Sequence, residues 1–233
     1  MSGFAEGWRW RELVGLVLLG AALIVLWQVP YLNFLVYPFR LFGTFVHELS
    51  HGIAALVTGG RFERFTVSAD LSGLTWSAGG VRWVVSSAGY VGSAIFGGVL
   101  ILLGAKGVPS HRLLMALGVI LGLMCLLFVR NIFGIGTGLA LAVVLFFAGR
   151  KLRGGSSDFL VLVLALQLVL DGFNSLLNLA RLSTGTSVQT DALSMAQATG
   201  VPAIVWAIVW TGISVAILAF TLHLAYRGKS KRA

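Results

Sequence analysis

The sequence predicts an all-α polytopic membrane protein of about six to seven transmembrane helices, with a short β-hairpin between the second and third spans. Composition is the first reason. Of 233 residues, 58% are hydrophobic and only 11% are charged, where a soluble domain carries about 25%; the mean hydropathy is +0.93. Segmentation is the second. Seven apolar segments, roughly 13–30, 35–58, 85–104, 113–129, 132–148, 158–180 and 202–226, reach or approach the length of about 20 residues that a helix needs to cross hydrocarbon. The third is a local change of period after the second segment, from helical spacing to strict alternation.

The first segment follows Arg9 and Arg11, as a signal peptide would. It runs long and ends in Trp27-Gln28-Val29-Pro30-Tyr31 without a small-residue cleavage site, so a retained span is expected. The net charge of +9 does not point to nucleic acid. The basic residues gather at span ends and in the tail Arg227, Lys229, Lys231 and Arg232, where anionic lipid headgroups are their natural partners. The protein is expected in the cell membrane, in contact with lipid and with no nucleic-acid partner. Basic residues flank the spans on both sides, so their count leaves orientation open. The lone Cys125 sits in an apolar run and is expected to pack.

After the second segment, Phe65, Val67, Ala69 and Leu71 alternate with Thr66, Ser68, Asp70 and Ser72. Ser72-Gly73 offers a turn, and Leu74, Trp76 and Ala78 alternate with Thr75 and Ser77, which completes a hairpin within 62–84. Val81-Arg82-Trp83 offers a short third strand. In the third segment Gly89, Ser93 and Gly97 recur every four residues, a small-residue face that lets helices approach closely and would seat this helix against its neighbour. The fourth and fifth segments are split only by Arg130-Asn131, so a tight helical hairpin or a re-entrant pair is open there. The sixth carries Gln167, Asp171, Asn174 and Asn178 on one face, a polar stripe that must face the bundle interior or a wet cavity. Thr190 suits the N-cap of a short helix over 191–197, and Trp206 and Trp210 suit an interfacial belt. The chain reads as one integral membrane domain over 1–233, with its chemical core in 35–180.

That core centres on His47-Glu48-Leu49-Ser50-His51 in the second segment. On a helix the two histidines lie one turn apart and can share one zinc ion, while Glu48 can take a proton from a water that the ion activates. Ionisable groups in a bilayer cost roughly 2.5–3.5 kcal/mol each, so three within five residues call for a compensating cation. A catalytic zinc has three protein ligands and one open position. His111 and His223 fall near span ends, so a carboxylate is the better third ligand. Of eight acidic residues only Glu48 and Asp171 fall well inside spans. If the second and sixth spans run parallel, Asp171 also lies at about the depth of His47 and His51.

Together, His47-Glu48-Leu49-Ser50-His51, the β-rich segment, Ala88-Gly89-Tyr90 and Leu170-Asp171-Gly172 resemble the site-2-protease family of intramembrane zinc metallopeptidases, in its small branch. The resemblance implies His47, His51 and Asp171 as zinc ligands, Glu48 as general base and a transmembrane protein as substrate. It also implies Asn174 as a neighbour of the metal site or of the substrate backbone. Many members carry a PDZ domain, and no loop here is long enough for one. Asp191, in a polar segment, is the competing third ligand; the cost of burying charge favours Asp171. Two other readings stand beside the protease: a non-catalytic binding or chaperone-like relative of the same fold, and a metal transporter. Glu48 speaks against the first. The lack of internal repeats speaks against the second.

Overall fold

The computed structural model describes residues 3–29, 31–173, 176–177 and 190–230, with side chains for those between 14 and 225. The elements in chain order are α1 (Gly3–Gln28), α2 (Asn33–Val57), β1 (Arg61–Val67), β2 (Gly73–Ala78), α3 (Arg82–Ala105), α4 (Ser110–Phe128), α5 (Ile132–Lys151), α6 (Gly155–Val169), α7 (Asp191–Thr199) and α8 (Ala203–Ser230). Among the described residues five helices are long and apolar enough to cross a membrane. They are α3, α4, α5, α6 with its extension to Phe173, and α8. A sixth span arises if α1 and α2, bent by 105° at the break after Gln28, count as one. Among the described residues, neither α1 nor α2 alone is long and apolar enough to cross. A helix that carries Arg40, His47, Glu48 and His51 has little continuous apolar surface to offer lipid.

Helix α3 sits at the centre, against α2, α6 and α8, and its glycines permit each approach. A Cβ at Gly92 would lie 2.6 Å from Ser50 Oγ on α2, one at Gly97 2.5 Å from the Ala165 carbonyl on α6, and one at Gly98 2.8 Å from Thr221 Oγ1 on α8. Helices α4 and α5 form an antiparallel pair. Gly149 meets His111 and Met115, Gly118 meets Ala142 and Phe146, and Gly138 meets Cys125, which is fully buried as expected.

The hairpin forms where the alternation placed it, but it is shorter and has a wider turn. Strand β1 stops at Val67, and residues 68–72 make the connection; Ser68 N–H donates to the Ser72 carbonyl and Leu71 stands at φ 68°. Asp70 holds this turn by accepting from Ser72 N–H and Oγ–H, at 3.0 and 2.6 Å. No third strand forms at 81–83, because Arg82 already begins α3. Phe65 and Val67 are fully buried in the main core, Phe65 edge-on to Phe45 of α2 and Phe62 stacked on Phe128 of α4. Their alternation thus anchors the hairpin in the helix bundle. At its base Gly59 takes φ +83°, which ends α2, and Val81 N–H donates to Thr58 Oγ1.

Gln167 is buried and accepts from Trp27 Nε1 at 3.2 Å, so this part of the polar stripe faces the bundle interior, as expected, and docks α1. Trp210 is also buried, stacked on Tyr90, and does not belong to an interfacial belt. Its geometry places it behind the site described next.

Candidate metal centre

Residues 42–52 stay helical within α2, so His47 and His51 project from one face, with ring centroids 4.8 Å apart. Helix α7 comes to meet them. Thr190 caps it by accepting from Leu193 N–H at 3.2 Å, as the sequence suggested, and this places Asp191 at its first position. Ala192 and Met195 pack against Tyr90 and Trp210, which holds the α7 N-terminus over the histidines. Asp191 Oδ2 lies 3.0 Å from His47 Nε2 and 3.4 Å from His51 Nε2.

One candidate ligand atom from each of His47, His51 and Asp191 falls within 4.8 Å of the others, the one such group among the described residues. Ligand atoms at about 2.05 Å from a tetrahedral zinc are about 3.3 Å apart, so the 3.0 and 3.4 Å spacings from Asp191 to the two imidazoles suit the ion. Space for it comes from Gly89. A Cβ there would collide with His47 Nε2 and lie 2.6 Å from His51 Nε2. The other ring nitrogens are held as in metal sites. His51 Nδ1 lies 2.6 Å from the Val85 carbonyl, which can only accept, so the proton stays on Nδ1 and the Nε2 lone pair faces inward. His47 Nδ1 lies 2.8 Å from Asp171 Oδ2. Tyr90 supports the His47 ring edge-on, at 4.5 Å between centroids.

The structure therefore brings Asp171 to the depth of His47, but on the nitrogen facing away from Asp191. Asp191, not Asp171, shares one group with the inward nitrogens, and it lies beyond the 35–180 core. Asn174 and Asn178 lie outside the described residues. Glu48 is buried beside this group, and the Thr75 hydroxyl stands 2.7 Å from its Oε2 and 2.9 Å from its backbone carbonyl. Three contributors were not recognised as functional in the sequence. Gly89 reads there as a packing residue, Thr75 as a polar strand position, and the Val85 carbonyl leaves no side-chain signal at all.

These groups open onto a cavity of about 370 Å³. Its walls include Thr44, Leu71, Tyr90 and Ser194, and along one side β2 contributes Gly73, Leu74, Thr75 and Ser77. The outer edge of β1 is taken. The Phe65 carbonyl accepts from Arg130 N–H, and the Asn131 side chain pairs with both Val67 N–H and its carbonyl. Phe65 and Val67 thus turn their backbone away from β2. Their partners Thr75 and Gly73 must do the same, toward an edge that no other described strand covers.

Fold and site together define a multi-pass integral membrane protein with a His/His/Asp group able to hold a metal. A family model described as Peptidase M50B-like matches residues 16–221. The chain belongs to that family, and so to the site-2-protease group that the motifs resemble. Membership supports a membrane metallopeptidase-like role. Comparisons with curated proteins and with solved structures find no match.

Proposed function

We propose that this protein is an intramembrane zinc metalloprotease that hydrolyses peptide bonds of membrane-embedded proteins, and that its place is the cell membrane. The observation that carries the reading is the convergence of His47, His51 and Asp191 over the space left by Gly89, with the Glu48 carboxylate beside it. His47, His51 and Asp191 would hold the ion; Asp171 and the Val85 carbonyl keep the two rings turned toward it. When bound, zinc supplies Lewis-acid activation of water and of the scissile carbonyl. Glu48 takes the proton of the attacking water and later gives it to the leaving amine. A metal site with a purely structural role has no use for that base, and this favours the enzyme over a binding relative.

The substrate class follows from the edge of β2. A transmembrane helix hides its carbonyls in its own hydrogen bonds, so a segment must unwind before attack and its freed backbone groups need new partners. The outward N–H and C=O groups of Gly73 and Thr75 supply them, by strand addition next to Glu48. The test is a single-span reporter peptide with a Gly-Pro pair in its apolar core. Zinc-loaded protein should cleave it and chelated protein should not. N-methylation of alternate amides in the unwound stretch removes the strand donors and should lower cleavage by about tenfold or more. A zinc-loaded protein that leaves the unmodified reporter intact would count against a peptidase, and equal cleavage of both reporters would count against strand addition.

A further inference from the structure

We infer that Thr75, on the hairpin, is the positioning residue for Glu48, so that the strand offered to substrate also sets the base. This rests on the functional reading above. A buried carboxylate two bonds beyond Cβ has torsional freedom to turn toward or away from the metal space, and something must choose. Two neighbours on β2 do so. The Thr75 hydroxyl lies 2.7 Å from Glu48 Oε2. On the other side Gly73 lies flat against the carboxylate; a Cβ there would overlap Oε1 and would come within 2.6 Å of Cγ. Glu48 is thus walled at Gly73 and tied at Thr75, the two residues whose backbone groups face the open edge.

The hairpin can bear this load because it is not loose. Phe65 and Val67 are buried in the core, Asn131 clamps the β1 backbone, and Thr44 Oγ–H donates to the Leu71 carbonyl in the turn at 3.1 Å. The same hydroxyl lies 2.9 Å from the Glu48 backbone carbonyl, so its one proton is shared between the side chain and the backbone of the base, with the carboxylate the nearer acceptor. A chain that pairs with the Thr75 backbone therefore meets a base oriented by the side chain of that same residue.

The test uses a small hydroxamate, acetohydroxamic acid, on the full-length zinc-loaded protein in detergent. Its hydroxyl proton is taken up by a carboxylate placed to serve as base, so its affinity reads where Glu48 points without any substrate. Glu48→Gln should weaken binding, and Thr75→Val should weaken it about tenfold while zinc content stays at the wild-type level. Thr75→Ser should restore it. In a Glu48→Gln background, Thr75→Val should add nothing, the mark of two groups acting as one. Gly73→Ala, which pushes the carboxylate from the opposite side with Thr75 intact, gives a second route to the same loss. Wild-type affinity in Thr75→Val, or an undiminished Thr75→Val loss in the Glu48→Gln background, would overturn the assignment. A Glu48→Gln protein that binds the probe like wild type would instead overturn Glu48 as base, and the functional reading with it.

Discussion

Glu48→Gln should leave zinc content and folding intact and lower hydrolysis of a single-span reporter by at least ~10²-fold, the lower end for losing a positioned general base. Gln keeps the size and polarity of the side chain and can still accept the Thr75 hydrogen bond, so the packing around α2 and β2 has no reason to change. It cannot hold the proton of an attacking water. The metal group does not include Glu48, so zinc affinity should stay near the wild-type value. This separation is what distinguishes an enzyme from a non-catalytic relative with the same metal group. Measured side by side, zinc content and cleavage rate should part company. Wild-type cleavage in Glu48→Gln would remove the residue from the mechanism.

Gly89→Ala should weaken zinc binding sharply. The added methyl group would occupy the space into which His47 Nε2 and His51 Nε2 point, and the second lies only 2.6 Å from where it would sit. The neighbours cannot yield cheaply, because His47 is held by Asp171 and Tyr90, and His51 by the Val85 carbonyl. Overpacking of this kind costs about 1–3 kcal/mol, so zinc affinity should fall by up to ~10²-fold. Gly104→Ala on the same helix meets nothing within 4 Å and serves as the control; its zinc affinity should match wild type. Undiminished zinc in Gly89→Ala would mean the ion sits elsewhere.

Much of this architecture was legible in the sequence because its signals are local. The apolar runs mark the spans, the alternation through Phe65 and Val67 marks the hairpin, and His47 and His51 declare a shared helical face. Thr190 announces the start of α7 by the same kind of short-range chemistry. What stayed hidden depends on contacts across the fold. Asp171 and Asp191 both reach His47, but only the docking of α7 on Tyr90 and Trp210 decides which nitrogen each meets. The cost of burying charge ranked Asp171 first; it took no account of a short helix that carries Asp191 into the site from outside the spans. Gly89 and Gly97 share one small-residue pattern, yet one faces the imidazoles and the other the backbone of α6. Residue type and spacing cannot separate them.

The most direct test of the central claim is zinc affinity, measured by competition with a chromophoric chelator, for wild type, Asp191→Ala and Asp171→Asn. Wild type should hold about one zinc per chain, with three protein ligands and one open position. Asp191→Ala should lose stoichiometric zinc, because a ligand is gone. Asp171→Asn should keep the ion but bind it about 10–100-fold more weakly, as expected when the partner that orients a histidine ligand is altered. Full zinc in Asp191→Ala together with its loss in Asp171→Asn would contradict the His47, His51 and Asp191 centre and move the third ligand to the end of α6.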